Sequence, residues 1–384
     1  MHIAIVTPRF VRGDGQGRVN VEVAECLLDR GHRLTLLAQK ARPALVAHPR
    51  VTWVRLPAAD WPTALLRDAA MGWASARWLR AHRASIDLVV GNGCVTRFPV
   101  DVNAAHFVHH GWRAASSRIP GASARGLRGW YHTLYTALNV RGERRAFGTA
   151  RLVVAVSDRV RAELIDAGVP PARIRVIPNG VDPTEFAPGR TSRSALGLPT
   201  EGPLGLFVGD LKTPRKNLDT VLRALTETPR LHLAVAGRTE GSPYPALAAQ
   251  LGLDDRVHFL GFRSDVADLM RAADLVVCPS RYEPFSLVVL EALASGRPVV
   301  TVRSVGAASL LSEDCAIVLE NPDDPSALAA ALTALAEDPA RRDDMGRAGR
   351  RLALRHTWRR MAEQYATLIE RLPVPSRTPA LPSA

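Results

Sequence analysis

The sequence has few cysteines and no apolar segment long enough to cross a membrane. Its four cysteines are scattered, with no C-x-x-C pair and no metal-ligand spacing, which argues against a disulfide scaffold and predicts a reducing, cytoplasmic setting. No apolar run approaches the roughly 20 residues that a membrane-spanning helix needs. The N-terminal segment MHIAIVTPRF has no basic region ahead of a long apolar core, so we interpret it as a first buried strand rather than a signal peptide.

Signatures of nucleic-acid-binding proteins are also missing. The sequence has no helix-turn-helix signature, no zinc-finger spacing and no RNP aromatic string, which argues against a nucleic-acid partner. Its formal net charge of +13 therefore has other interpretations. The charge favours a phosphorylated substrate or an anionic lipid surface, or it reflects only an arginine-rich genomic composition.

The order of apolar runs and helical segments predicts an α/β fold. A short apolar strand at residues 2–7 is followed by a glycine-rich loop at 13–17, a helical pattern at 19–29 and a second strand at 34–38. Further apolar runs bounded by turn residues begin at Leu88, Leu152, Leu204, Leu231, Val257, Leu275 and Val299. Such alternation is typical of parallel sheets covered by helices.

A length of 384 residues exceeds what one hydrophobic core usually serves, so we expect two domains. The alternation restarts after residues 187–203, a stretch rich in Pro, Gly, Ser and Thr that is typical of a linker. We therefore predict an N-terminal α/β domain at 1–185 and a C-terminal one at 186–355. The Pro/Ser-rich end of the chain, 373–384, is predicted to be disordered.

Two acids eight residues apart mark the segment RYEPFSLVVLEALASGRPVV, residues 281–300. Proline and serine at its start and glycine near its end predict a helix over 285–295. The free N–H groups and partial positive charge of a helix N-terminus suit a diphosphate. Glu291 lies about two turns into this helix, where its carboxylate can accept hydrogen bonds from ribose hydroxyls, and Glu283 precedes the helix. An ordinary amphipathic helix with two exposed acids is the alternative.

Two adjacent cations, Arg215 and Lys216, lie in the loop after the strand that ends at Val208. Cations just past a strand end can neutralise a diphosphate as the leaving group departs. A solvated basic turn is the alternative interpretation.

The glycine-rich loop at 13–17 allows the backbone to approach a ligand closely, or it is simply a flexible turn. Its spacing differs from the G-x-G-x-x-G fingerprint of nicotinamide dehydrogenases, which argues against that class.

Three histidines, His106, His109 and His110, follow a predicted strand. Ligand contact, a metal site and a structural role are all open for them.

The stretch 111–145 contains seven arginines against one glutamate, with four aromatic residues interleaved: Trp112, Trp130, Tyr131 and Tyr135. Basic and aromatic surfaces of this kind favour anionic membrane interfaces. Core aromatics with a solvated arginine face are the alternative.

The segment 281–300 resembles the Glu-x7-Glu motif of glycosyltransferase family 4, and the resemblance extends over nearly the whole chain. The glycine-rich loop with the following strand, PNGVD at 178–182, VGDLKTPRKNLDTVLRAL at 208–225 and VHFLGF at 257–262 match further family motifs in the expected order. The layout is most similar to that of lipopolysaccharide-core glucosyltransferases. The resemblance implies the GT-B fold, with two Rossmann-like domains, an active site in the cleft between them, and a helix at 356–372 that returns to the N-terminal domain.

The resemblance also implies an activity. It predicts transfer of a hexose from a nucleotide-diphosphate sugar, here a UDP-sugar, to a glycan, lipid-linked or polysaccharide-precursor acceptor. It further implies retention of the anomeric configuration and no metal or other cofactor. A GT-B nucleotide-sugar epimerase, a glycosyltransferase for a small-molecule natural product and a non-catalytic binding protein are the alternatives. The expected location is cytoplasmic and peripheral on the inner face of the plasma membrane, through 111–145.

Residue by residue, the resemblance assigns donor binding to these positions: Gly15, Arg215, Lys216, Gly261, Phe262, Glu283, Phe285, Ser286, Leu287 and Glu291. The backbone at Phe262 is expected to meet the base, Glu291 the ribose, and the two cations the diphosphate. The expected catalytic residues are Glu283, Lys216 and His106, with His110 and His109 as alternative contacts to the transferred sugar.

Three positions depart from the family pattern. Asp210 stands where many members have arginine, Asp14 where the first of two adjacent glycines falls, and Ser286 where glycine is more usual. We expect Arg215, beside Lys216, to take over the role of the arginine that Asp210 displaces.

Overall fold

The computed structural model describes residues 1–13, 15–57, 63–119 and 126–374. Asp14 of the predicted glycine-rich loop lies outside these residues, and so do residues 375–384 of the predicted tail. In the part of the chain that the structure describes, two parallel sheets carry most of the strands, one sheet in each half.

The N-terminal half contains, in chain order, β1 (His2–Val6), β2 (Arg9–Phe10), α1 (Gly15–Asp29), β3 (Arg33–Ala38), β4 (Lys40–Ala41), α2 (Pro43–Val46), β5 (Val51–Arg55), α3 (Ala64–His82), β6 (Leu88–Asn92), β7 (Val102–Ala105), α4 (His109–Ser116), α5 (Gly126–Thr149), β8 (Leu152–Ala155), α6 (Asp158–Asp166) and β9 (Ile174–Val176). Within the described residues, seven of these strands form one parallel sheet in the order β5-β3-β1-β6-β7-β8-β9. β2 pairs with β4 in a short separate ribbon.

The C-terminal half contains β10 (Leu204–Val208), α7 (Leu218–Thr226), β11 (His232–Ala236), α8 (Tyr244–Gln250), β12 (Val257–Gly261), α9 (Val266–Ala272), β13 (Leu275–Cys278), α10 (Leu287–Ala294), β14 (Val299–Val302), β15 (Ala316–Leu319), α11 (Pro325–Glu337), α12 (Pro339–Ala353) and α13 (Trp358–Glu370). Its described strands form a six-stranded parallel sheet in the order β12-β11-β10-β13-β14-β15.

Burial on both faces explains the sequences of the central strands. β13 (LVVC) and β14 (VVTV) are continuous apolar runs in which every residue is buried. Helices cover both faces of such strands, so apolar residues do not alternate with polar ones. The sequence predicted these runs but not β5, β9 and β15. All three are edge strands that are only partly buried, so their apolar runs are weaker.

Each sheet reverses its strand order at one point. In the first sheet β1 lies between β3 and β6, and in the second β10 lies between β11 and β13. The loops after neighbouring strands diverge at such a point, so a crevice forms at the carboxyl ends of the strands, where α/β proteins bind ligands. The fold therefore places one crevice beyond β1 and β6 and another beyond β10 and β13.

The last helix returns to the first half of the chain, where α13 packs against α1. Tyr365 and Ile369 of α13 are buried in the same hydrophobic cluster as Leu27 of α1. At the crossing point the backbone N–H of Val181 donates to the carbonyl of His356 at 2.9 Å. A Cβ atom on Gly180 would lie 2.2 Å from the Trp358 nitrogen, so only glycine permits this crossing.

The start of α1 differs from the prediction. α1 begins at Gly15 rather than near residue 19, so Gly15 and Gly17 belong to a helix and not to a loop. The first turn contains two glycines and polar residues, which hide its helical periodicity.

No helix among the described residues has the length and apolar character that crossing a bilayer requires.

Candidate active site at the interdomain cleft

The two cations of the crevice beyond β10 and β13 are held in place by an asparagine in the left-handed conformation. Arg215 and Lys216 lie in a 3-10 turn, Pro214–Lys216, which ends at Asn217 with φ of 66°. The buried Asn217 amide donates to the carbonyls of Pro279 and Pro322 at 3.0 and 2.6 Å. These hydrogen bonds offset the cost of the left-handed conformation and fix the turn against the loop after β13.

Glu283 lies directly against both cations. Its Oε2 atom accepts hydrogen bonds from Lys216 Nζ at 2.6 Å and from Arg215 Nη1 at 3.0 Å. Its backbone is fixed as well, because the N–H of Gly306 donates to its carbonyl at 2.8 Å. The structure thus brings together three residues that the sequence predicted from two separate motifs. The trio carries one net positive charge in a partly buried position, where an anion is favoured.

Asp210 shapes the loop that carries these cations. Its carboxylate accepts from the Lys212 backbone N–H at 3.0 Å and from the Thr213 hydroxyl at 2.9 Å. The aliphatic part of Lys216 passes over Gly209, where a Cβ atom would lie 3.2 Å from Lys216 Cγ. The residue at 210 therefore folds the loop, while Arg215 occupies a position beside Glu283.

The helix after Glu283 is shorter than predicted. α10 begins at Leu287 rather than at residue 285 and ends at Ala294. Ser286 does not cap it: the Ser286 side chain makes no cap hydrogen bond and lies 3.4 Å from Cys278 Sγ. Its φ of 84° belongs to the region that favours glycine, so serine is strained at this position. The side chain of Phe285 is buried in the core, which leaves only its backbone for a ligand.

The N-termini of α1 and α10 meet across the cleft. A Cβ atom on Gly15, the first residue of α1, would lie 3.0 Å from Cδ1 of Leu287, the first residue of α10. A side chain at Gly15 would press against the end of the Leu287 side chain, so glycine favours this approach. Free N–H groups from both halves of the protein therefore converge near Glu283.

Glu291 is a half-buried acid without a hydrogen-bond partner among the described residues. Burial raises the pKa of its carboxyl to about 7, and the Glu185 carboxylate adds to this effect, while Arg18 and Lys216 oppose it. A carboxylate in this position can accept hydrogen bonds from hydroxyl groups of a ligand.

Sequence reasoning missed the importance of Arg18. Its guanidinium donates to Asp182 at 3.1 Å and to Glu185 at 3.2 Å, and it lies over the Trp358 ring at 5.2 Å from the centroid. Arg18 thereby links α1 to the PNGVD segment and faces Glu291 across the cleft. The only signal in the sequence was one of charge. Arg18 is a cation at the end of the glycine-rich motif, and Asp182 is the acid of PNGVD.

Gly261 and Phe262 lie at the carboxyl end of β12, two strands away from β10. Gly261 has φ of 68°, and its carbonyl accepts from the N–H of Gly237 at 2.9 Å. The Phe262 ring is 69% exposed, with the Arg238 guanidinium 5.4 Å from its centroid. The predicted base contact thus has an accessible strand end with an exposed aromatic ring beside it.

The three histidines have different surroundings. His106 follows β7, and its Nε2 atom is buried with no hydrogen-bond partner in the described part of the chain. Burial lowers the pKa of His106 to about 4, so its imidazole is neutral at pH 7. His109 instead pairs through Nδ1 with the Glu143 carboxylate at 2.6 Å. His110 has a buried Nδ1 atom without a partner among the described residues.

No three His, Cys, Asp or Glu side chains gather as metal ligands within the described ranges, so the metal alternative for the histidines has no support there. His106 and His109 line a cavity of about 230 Å³ together with Asn92 and Tyr135. A second cavity of about 310 Å³ adjoins it and is lined by polar residues: Thr7, Arg9, Asn20, Gln39, Arg67 and Asp68. Both cavities lie at the crevice beyond β1 and β6.

The predicted basic and aromatic stretch divides into two parts. Trp112 is half-buried, with its ring 5.4 Å from the Tyr282 ring, and the Tyr135 hydroxyl donates to Asp68 at 3.0 Å. Trp130 on α5 is 67% exposed, and Leu138 on the same helix is also exposed. Residues 120–125 of this stretch lie outside the described residues. Part of the stretch therefore packs within the protein, while Trp130 and Leu138 are exposed.

Comparisons with known proteins agree with this architecture. The family model described as "Glycosyltransferase Family 4" matches residues 13–185, and the one described as "Glycosyl transferases group 1" matches residues 190–352. The chain belongs to glycosyltransferase family 4. The structure also shows the GT-B fold that the resemblance implied, because this family 4 chain superimposes on other GT-B proteins over almost its whole length.

One similar solved structure is WaaG, a glycosyltransferase involved in lipopolysaccharide biosynthesis, with a TM-score of 0.77 and 23% identity over 96% of this family 4 chain and 100% of WaaG. Another is Anabaena HepE in complex with UDP-glucose, with a TM-score of 0.73 and 21% identity over 97% and 100% of the two chains. Among curated proteins, a D-inositol 3-phosphate glycosyltransferase of Kineococcus radiotolerans is 39% identical over 250 residues. That alignment covers 58% of this chain and 57% of the relative, so the chain spans little more than half the length of the curated relative.

Proposed function

We propose that the protein transfers a hexose from a UDP-sugar to a hydroxyl group of an acceptor bound in the N-terminal cavities. The proposal rests on one observation, the pairing of Arg215 and Lys216 with Glu283 just before the N-terminus of α10. The family match and the binding of UDP-glucose by the structural neighbour HepE support the choice of donor.

In the proposed mechanism the diphosphate binds at the N-terminus of α10 and against the two cations. Negative charge builds up on the diphosphate as the glycosidic bond breaks, and donors that are already in place stabilise that charge at little cost. Glu291 accepts hydrogen bonds from the ribose. Glu283 contacts the hydroxyls of the sugar or stabilises its oxocarbenium character, and neutral His106 contacts the same sugar from the other side of the cleft.

Retention follows if the acceptor attacks from the face that the diphosphate leaves. The departing phosphate then removes the acceptor proton, so that no protein base is required. A double displacement with Glu283 as nucleophile is less consistent with the structure, because two cations already hold its carboxylate through one oxygen. We propose no metal in this step, since the two cations supply the positive charge that the leaving group needs.

For the acceptor we propose a hydroxyl compound that carries a phosphate, either a phosphorylated polyol or a phosphate-linked lipid or glycan. The cavity of about 310 Å³ is lined by the arginines Arg9 and Arg67, by the Asp68 carboxylate that pairs with Arg67, and by neutral polar groups that suit hydroxyls. The relative from Kineococcus, which is named for an inositol phosphate acceptor, supports the polyol form.

A panel of nucleotides tests the donor. UDP and UDP-glucose are expected to raise the melting temperature more than GDP, ADP or TDP and their sugars, because ligands that bind only the native state stabilise it according to affinity and concentration. Glucose transfer to inositol phosphate, to lipid-linked acceptors and to water is then measured with and without EDTA. Donor turnover to an epimer without an acceptor, or no response to any nucleotide, would contradict the proposal.

The pH dependence of donor binding should depend on Glu291. Its folded-state pKa of about 7 lies above the unfolded value, so protonation stabilises the fold at low pH, and this contribution is lost as the pH rises through 7. Ribose binding needs the ionised form, so the Kd for UDP-glucose should rise as the pH falls from 8 to 6, by up to about tenfold per unit below pH 7. Calorimetry across this range checks it, with Glu291→Gln as comparison: the variant should bind more weakly, with little pH dependence. Equal pH profiles for both proteins would refute the assignment.

We also propose that α5 contacts an anionic membrane. Trp130 and Leu138 are exposed on α5, and Arg141 and Arg145 follow at the spacing of the same helix face. Sedimentation with anionic vesicles should exceed that with neutral vesicles, and a Trp130→Ala/Leu138→Ala variant should lose most of this difference. Leu354→Ala, an exposed leucine in the other half, should retain it. Equal sedimentation with both vesicle types would end this proposal.

A further inference from the structure

The tyrosine before Glu283 leaves its own half of the protein. Tyr282 belongs to the loop after β13 of the C-terminal sheet, yet its ring contacts Phe107 and Trp112, at centroid distances of 5.7 and 5.4 Å, and the Arg159 guanidinium at 4.8 Å. All three belong to the N-terminal half. The Tyr282 side chain is fully buried, so the N-terminal half forms a closed socket for it.

An acid lies at the end of this socket. The Tyr282 hydroxyl donates to Glu163 Oε2 on α6 at 3.0 Å. Glu163 is buried, forms an ion pair with Arg159 at 3.1 Å, and leaves no room for a side chain at Gly111, where a Cβ atom would lie 2.2 Å from Glu163 Cδ. Burial raises the pKa values of both Glu163 and Tyr282. The hydroxyl therefore stays a neutral donor, and a buried carboxylate needs such partners.

The residue after Glu283 is held by the same helix. Ser157, the N-cap of α6, donates through its hydroxyl to the Pro284 carbonyl at 2.6 Å. Gly306 packs closely against the same carbonyl, since a Cβ atom there would lie 1.9 Å from the Pro284 oxygen and 2.6 Å from Ser157 Oγ. Both chain neighbours of Glu283 are thus fixed by α6 from across the cleft.

The C-terminal half fixes the same loop one residue earlier. Arg281 donates two hydrogen bonds to the Asp219 carboxylate, at 2.9 and 2.7 Å, and one to Asp323 at 2.6 Å. Arg281 is therefore anchored to the C-terminal half, whereas Tyr282 and Pro284 are anchored to the N-terminal half. Any separation of the two halves has to displace the backbone on both sides of Glu283.

We propose that Glu163, acting through Tyr282, is a positioning residue that sets the Glu283 carboxylate only while the two halves are closed. The inference rests on the proposed transferase function and adds a dependence of the donor site on the N-terminal half. Phe107 also lines the cavity with His106, so the socket shares a wall with the proposed acceptor site. Donor binding by the C-terminal half does not require Tyr282 to occupy the N-terminal socket, whereas sugar transfer does.

The test separates binding from turnover. Tyr282→Phe and Glu163→Gln are each expected to lower kcat about 10-fold or more, since small displacements of catalytic groups have effects of this size or larger. The Kd for UDP by calorimetry should stay within about twofold. The double variant should be no slower than the slower single variant, because both changes break one contact. Ser157→Ala, which loosens the other neighbour of Glu283, should also lower kcat at unchanged Kd.

Tyr365→Phe is the matched control, because Tyr365 is a buried tyrosine on α13 whose hydroxyl has no partner among the described residues. It should retain wild-type kcat. Small-angle scattering of UDP-bound Tyr282→Phe should show a larger radius of gyration than the wild type. Wild-type kcat in both Tyr282→Phe and Glu163→Gln, or independent effects that multiply in the double variant, would overturn the inference. An inactive wild-type protein would instead count against the proposed function, and the scattering result would then decide the inference.

Discussion

Glu283→Gln should lower kcat for sugar transfer about 100- to 1,000-fold, the usual cost of removing one group that stabilises a transition state. The amide keeps the size of the side chain but loses the charge that faces the developing positive charge of the sugar. It also frees Arg215 and Lys216 from their shared carboxylate, so the Kd for UDP should fall or stay the same. Steady-state kinetics with UDP-glucose and calorimetry with UDP measure both quantities.

The opposite signs of these two effects make the test specific. A misfolded variant would lose both turnover and binding, whereas the proposed role predicts lost turnover with retained binding. Glu320→Gln, which removes an acid that is 73% exposed in its side chain and pairs with Arg303, should behave as the wild type. Wild-type kcat in Glu283→Gln would remove this residue from the mechanism.

The central strands and the donor-site motifs could be predicted from the sequence because their signals are local. β13 and β14 are buried on both faces, so their apolar runs alone mark them. The cations at 215 and 216 follow a strand, and the acids at 283 and 291 flank a helix start, so each group is placed by its own neighbours. Parallel strands bring such loops to one edge of a sheet, which predicts that they meet there.

Contacts between the two halves could not be predicted, because they depend on how distant segments fit together. Ser286 was predicted to cap a helix, yet Ser286 and Asn217 both adopt positive φ, and the Asn217 amide makes hydrogen bonds to distant carbonyls. Tyr282 directly precedes Glu283 in the sequence, but its partner Glu163 lies 119 positions away. Arg18 lies 164 and 167 positions from its partners Asp182 and Glu185, and opposite charges alone do not place them in contact.

The first turn of α1 shows the same limit in a single element. Glycines at 15 and 17 predicted a loop, since glycine weakens a helix by up to about 1 kcal/mol. The structure continues the helix through both, and a side chain at position 15 would crowd the end of Leu287. The glycine that made the helix hard to predict lies where the two helix N-termini meet.

Lys216→Ala should lower kcat by a similar factor of about 100 to 1,000, but for a different reason and with weaker nucleotide binding. Lys216 is the shorter of the two contacts to Glu283, and its charge also lowers the pKa of Glu291. Without it the leaving diphosphate loses one fixed cation, and the Kd for UDP should rise. Kinetics and calorimetry as for Glu283→Gln measure both changes.

Lys212→Ala provides the matched control, because Lys212 is an exposed lysine of the same loop that contributes only a backbone N–H to Asp210. Its kcat and Kd should equal those of the wild type, which separates the position of the charge from the net charge of the protein. The variants Glu283→Gln and Lys216→Ala then distinguish the roles of the acid and the cation, since the first should retain UDP binding and the second should bind UDP more weakly. If Lys216→Ala bound UDP as tightly as the wild type, the diphosphate would have to bind elsewhere than against this loop.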